Sequence, residues 1–127
     1  MPTFDQLPCP ALVTDRGGVV QSVNQSLLDL VGGVKDSWLA KPMDLMFPMA
    51  SRIFLQTHVW PMLLRENRIR EIRLQILNDA GTQVPVFTNC QKTTLDAAER
   101  FTWVFFVTIE RSQYEQELLE ARQRAET

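Results

Sequence analysis

A chain of 127 residues with 45% hydrophobic content has the size and apolar content of one globular domain with a single core. Thirteen basic residues face fifteen acidic ones for a net charge of -2, which argues against the concentrated basic excess of a nucleic-acid surface. Two cysteines without metal-ligand spacing suit a reducing compartment, and no apolar run reaches the length of a membrane span.

The opening residues Met1-Pro2-Thr3-Phe4-Asp5 lack a signal-peptide pattern, so a cytoplasmic domain at the natural start of its protein is expected. Ala11-Leu12-Val13 and Val19-Val20 read as two short strands, joined by a tight turn that uses Asp15 and the paired Gly17-Gly18. Asn24 is placed to cap a helix running to Val31, which Gly32-Gly33 close. Asp36 or Ser37 is expected to cap a second short turn through Trp38 and Leu39, after which Pro42 and Pro48 punctuate the chain. Met49 to Glu66 is the main helix. Pro61 within it lacks a backbone donor and crowds the carbonyl of Thr57, which predicts a kink or break.

From Ile69 the period changes to two. Ile72, Leu74 and Ile76 alternate with Glu71, Arg73 and Gln75, the pattern of a strand with one buried face. Asn78-Asp79-Ala80-Gly81 carries turn chemistry, and Val84 to Leu95 returns as a strand with Pro85 near its start. A loop over Asp96 to Arg100 leads to a last strand, Phe101 to Ile109. Phe101, Trp103, Phe105 and Val107 point one way on it, and Val104 and Phe106 the other, so both faces need cover. A core covers one. A partner subunit is the expected cover for the other, giving a homodimer, with the short N-terminal arm as the competing cover. Ser112 to Thr127 is helix-forming, with Tyr114, Leu118, Ala121 and Ala125 on an a/d seam of about two heptads. The organisation read from this pattern is a domain over 1–111 and a linker helix over 112–127 leading to a missing output domain. Arg65, Arg68, Arg70 and Arg73, interrupted by Glu66 and Glu71, read as a solvated mixed-charge edge.

The hairpin and capped helix of Thr14 to Gly32, followed by short helices, a longer helix and three strands, resemble a PAS sensory domain. The resemblance implies an α+β fold, a five-stranded antiparallel sheet with short helices on one face and a C-terminal signalling helix. It spans roughly Leu7 to Ala125 and implies a sensor or interaction module rather than a particular ligand. The segment Ser51-Arg52-Ile53-Phe54-Leu55-Gln56-Thr57-His58 with Pro61 is similar to a pattern found in PAS domains that precede diguanylate cyclases, histidine kinases and SpoIIE-type serine phosphatases. Arg52, Ile53, Phe54, Thr57, His58 and Pro61 match it, while Ser51, Leu55 and Gln56 replace a glycine, a tyrosine and an acid. The resemblance also places the sheet-to-helix junction, where PAS domains carry Asp-Ile-Thr, on Val107-Thr108-Ile109. The acid is absent there, and Glu110 and Arg111 stand ready to replace its charge pairing ahead of Tyr114.

The resemblance implies a pocket between helix and sheet. Phe54, His58 and Met62 are expected to line it from the helix, Ile72, Leu74 and Ile76 from one strand, and Phe105 from the last. Few polar groups stand at these positions, so a small apolar or amphipathic ligand such as a fatty acid suits them, with a filled, ligand-free core as the competing expectation. His58, the one histidine, sits on the helix from which haem-binding PAS domains offer an axial ligand, which makes haem the sharpest cofactor alternative. Asn89-Cys90-Gln91 differs from the flavin-reactive cysteine stretch of photosensory LOV domains, since Cys90 follows Val86, Phe87 and Thr88 in a strand pattern. No Ser-x-x-Lys, Gly-x-Ser-x-Gly or paired-acid pattern occurs, so the expected role is non-enzymatic. The leading reading is a sensor and dimerisation module of a bacterial two-component or cyclic-di-GMP signalling protein, with no nucleic-acid or membrane partner. The alternatives are a ligand-free interaction module and a haem-based sensor.

Overall fold

The computed structural model describes residues 4–108. Its strands are β1 (Ala11–Thr14), β2 (Val20–Val23), β3 (Arg68–Leu77), β4 (Gln83–Leu95) and β5 (Ala98–Val107), in a five-stranded sheet of order β2-β1-β5-β4-β3. Every pairing is antiparallel, and β5 lies at the centre between β1 and β4. Between β2 and β3 come α1 (Gln25–Val31), α2 (Lys35–Trp38), a 3-10 turn (Met43–Met46), α3 (Met49–Phe54), a π-helical segment (Leu55–Val59) and α4 (Trp60–Glu66). This is the α+β architecture expected from the sequence. The expected C-terminal signalling helix over 112–127 lies outside the described residues.

The β1–β2 hairpin forms as its turn chemistry predicts. Asp15 Oδ1 accepts from Gly17 N–H at 2.9 Å and Val19 N–H at 3.0 Å, and Gly18 takes a φ of 78°. Asn24 caps α1 and does more. Its Oδ1 accepts from Leu27 N–H and from Ala11 N–H, both at 3.0 Å, and its Nδ2 donates to the Cys9 carbonyl at 2.9 Å. One buried side chain thus fixes the helix start to the beginning of β1. Gly32 closes α1 at φ 83°, ψ 177°, and a Cβ there would sit 2.7 Å from the Asp79 Cβ.

Two local expectations are corrected, and the disturbance expected near Pro61 takes a particular form. Neither Asp36 nor Ser37 is the N-cap of α2. Val34 is, and Ser37 works from the first turn, its hydroxyl donating to Val34 O at 2.6 Å and accepting from Val34 N–H at 3.1 Å. The loop expected over Asp96 to Arg100 contracts to Asp96–Ala97, both at positive φ, so that β5 begins at Ala98. The disturbance expected at Pro61 is a widened π turn just before it, where Trp60 N–H reaches back to Leu55 O.

The core lies between one sheet face and the helical segment. Leu27, Leu55, Val59, Leu63, Phe47, Met43 and Met46 meet Leu12, Leu74, Ile76, Phe101, Trp103 and Phe105, and each buried large side chain contributes about 1.5–3 kcal/mol. Trp60 places its ring edge-on to Phe101 and Trp103, at 5.2 and 5.4 Å. Within the described part of the N-terminal arm, the 3-10 turn Phe4–Gln6 packs against α1, and Asp5 pairs with Lys35 at 3.1 Å.

Candidate functional site

Alternation along β4 sends Val84, Val86, Thr88 and Cys90 into the core. Register places Thr88 between Ile72 of β3 and Phe105 of β5. Above them Phe47 packs on Phe105, ring centroids 6.0 Å apart. Thr88 is fully buried, and its Oγ1 is the one buried side-chain polar atom among the described residues without a hydrogen-bond partner. The other buried polar side chains are served: Thr14 Oγ1 accepts from Trp103 Nε1–H at 3.0 Å, Ser51 Oγ accepts from Gln75 N–H at 3.0 Å, and Asn24 makes its three bonds. An orphaned hydroxyl costs about 1–3 kcal/mol, so Thr88 marks a polar point in an apolar interior. Thr88 escaped the sequence reading. Its signal was a hydroxyl standing at an inward position of a Val84-Val86-Thr88 alternation.

The residues expected to line a pocket divide into two groups. Leu74, Ile76 and Phe105 lie in the core, with Ile72 and Met62 packed at its margin. Phe54 and His58 face outward. The inward face of the main helix is Leu55, Val59 and Leu63, at spacings of four, one position on from Phe54, His58 and Met62. The His58 ring stacks on Phe54, centroids 5.0 Å apart, and its Nδ1 lies 2.8 Å from Thr57 Oγ1. An outward imidazole held this way does not fit an axial ligand for a haem in the core. Cys90 is buried on β4, and burial pushes its thiol far above the ordinary value, which keeps it unreactive. Among the described residues no group of three His, Cys, Asp or Glu side chains could hold a metal ion, and no helix is long and apolar enough to cross a membrane.

The outer sheet face carries a second feature. Phe106 is 48% exposed, directly across from the half-buried Phe87, with half-buried Val104 opposite Asn89. Val107, expected to point inward, is 41% exposed where β5 runs past the edge of the core. The strand ends at Val107, and the N–H and hydroxyl of the following Thr108 both donate to Pro85 O, at 3.1 and 3.2 Å. Ile109, Glu110, Arg111 and Tyr114, the remaining junction residues, lie outside the described residues. Beside this strip runs a groove of about 710 Å³ lined by Arg68, Arg70, Glu71, Asn89, Gln91 and Val104. Its wall is a β3 bulge, where Glu71 sits at φ 56° and its N–H donates to Asn89 Oδ1 at 2.7 Å. Arg65, Arg68, Arg70 and Arg73 are all exposed, as the charge pattern predicts.

No family model matches the chain. It is 27% identical over 123 residues to the phosphoserine phosphatase RsbP of Bacillus subtilis, a match covering 97% of this chain and 30% of that protein. The chain thus spans under a third of the length of this curated relative. Among solved structures it is similar to the PAS domain of an HTR-like protein from Haloarcula marismortui, with a TM-score of 0.71 and 18% identity over 82% of this chain and 84% of that one. A PAS domain from a two-component sensor histidine kinase superposes with a TM-score of 0.70 at 8% identity, covering 81% of this chain and 87% of that one.

Proposed function

The chain has the PAS fold, and we propose that it works as the regulatory, non-catalytic sensor module of a signalling protein. In this reading a change in packing between the main helix and the sheet moves β5, and β5 carries it to the residues that follow Thr108 and on to an output domain. The carrying observation is the double duty of β5. Phe101, Trp103 and Phe105 are buried in the core, while Phe106 on the same strand is exposed on the outer face beside the exit at Val107 and Thr108. Two copies pairing through Phe106, Phe87 and Val104 cover that strip and bring the two exits at Thr108 together. The similarity to RsbP supports an output domain of phosphatase type, and similarity to the sensor kinase domain supports a signalling context.

Sedimentation equilibrium of the full chain tests this. The wild type is expected to be dimeric and Phe106→Glu monomeric, with an unchanged far-UV circular dichroism spectrum. A wild type that stays monomeric at high concentration overturns the reading.

A further inference from the structure

We propose that the outer face of the sheet binds a small aromatic anion, with its carboxylate on Arg68 and Arg70 and its ring on Phe87 and Phe106. The site goes beyond the sensor reading and rests on it only for its consequence, since the ring takes the strip through which two copies pair. Ligand and second copy then compete.

Two adjoining hollows carry the proposal. The groove of about 710 Å³ is lined by Arg68, Arg70, Glu71, Asn89 and Gln91, and a second hollow of about 420 Å³ is lined by Glu71, Asn89, Phe87 and Phe106. They share Glu71 and Asn89, so a polar chamber runs into an aromatic one. Each has the volume of a small-molecule site. Asn89 and Phe87 stand two residues apart on β4 and so share a face, a step of about 7 Å that a carboxylate joined to a ring by a short chain spans. Phe106 is 48% exposed, and a ring laid on it removes that apolar surface from water.

Charge selects the head group. The ion pairs among the described residues engage Arg16, Lys35, Arg65 and Lys92, and they leave Arg68 and Arg70 without a carboxylate partner. A guanidinium presents paired N–H donors that match the two oxygens of a carboxylate. Asn89 adds to them: its Oδ1 is taken by the Glu71 N–H at 2.7 Å, which leaves its Nδ2 as a donor. Glu71 is the one acid lining either hollow, and the two guanidiniums outnumber it.

The test is a ¹H–¹⁵N NMR titration of the full chain with indole-3-acetate, compared with neutral indole-3-ethanol and with acetate, the head group without the ring. Indole-3-acetate is expected to shift Asn89, Gln91 and Phe106 saturably, and to bind about tenfold more tightly than either comparison compound. Arg68→Gln and Arg70→Gln together should weaken it about tenfold, the worth of two partly exposed charge-assisted pairs, while Glu71→Gln tightens it about two- to threefold. Equal binding by the doubly substituted protein, equal binding of either comparison compound, or weaker binding by Glu71→Gln overturns the proposal. So do shifts confined to other regions, or arginines that stay solvated with no saturable binding. Sedimentation at saturating indole-3-acetate should show the dimer dissociating, and a dimer that binds it and persists overturns the shared strip. A normal dimer that does not bind indole-3-acetate defeats this inference alone. Monomeric protein that binds it defeats the sensor dimer alone.

Discussion

The hydroxyl of Thr57 donates to the Ile53 carbonyl at 2.7 Å, and so the 2.8 Å contact with His58 Nδ1 requires the imidazole to be the donor. Neutral His58 is therefore the Nδ1–H tautomer, with Nε2 left as an acceptor. Long-range ¹H–¹⁵N correlation spectra of the neutral ring in alkaline solution are expected to show an unprotonated Nε2, and Thr57→Val should return the ring to a mixture of tautomers. A dominant Nε2–H form in the wild type would contradict the assignment.

Asn24 joins two elements through three hydrogen bonds, so truncating it does more than remove a cap. Asn24→Ala leaves the Leu27 and Ala11 N–H groups without their acceptor and should cost about 2–4 kcal/mol in urea unfolding. Asn24→Asp keeps the acceptor and loses the donation to Cys9 O, so its cost should fall between wild type and alanine.

The β4–β5 turn places Ala97 at φ 63°, a conformation that glycine adopts without a steric penalty. Relief of that penalty exceeds the added unfolded-state entropy of glycine, and Ala97→Gly should stabilise the protein by up to about 1 kcal/mol. Thermal unfolding with an unchanged or lowered midpoint would show that this turn relaxes in solution.

Lys92, whose amine lies 3.1 Å from Glu99, holds the Glu99 carboxyl below the ordinary value, with Arg16 at 3.4 Å adding to it. The folded value lies below the unfolded one, so the unfolded chain binds more protons and this contribution grows with pH. It is fully present above the unfolded value of about 4.3 and is lost as pH falls through the folded one. The stability difference between wild type and Glu99→Gln should accordingly be level near neutrality and shrink in acid.

The parts of the fold that were legible in the sequence are those set by neighbours in the chain. The Asp15 turn, the Asn24 cap and the Asn78-Asp79-Ala80-Gly81 turn each act over a few residues, and Asn78 Oδ1 duly accepts from Ala80 and Thr82 N–H at 3.0 and 2.8 Å. The inward face of the main helix was not legible. Phe54-His58-Met62 and Leu55-Val59-Leu63 share one spacing and a largely apolar character, so only the sheet beneath decides between them. The β3 bulge left a trace, since the buried Ile69 and the core-facing Ile72 stand three apart where a regular strand requires an even step. Asp96-Ala97 lacks the glycine that usually announces a two-residue turn, and so it read as a loop. Thr88 needed the register with Ile72 and Phe105 before its missing partner could be recognised.

The central claim is that packing in the helix–sheet core is felt at the end of β5. Amide hydrogen exchange of Leu55→Val against wild type tests it directly, because Leu55 is fully buried on the main helix and lies far in sequence from the junction. The account predicts faster exchange at Leu74 and Ile76 and also from Phe106 through Tyr114. Exchange that changes at Leu74 and Ile76 but not from Phe106 onward would contradict it.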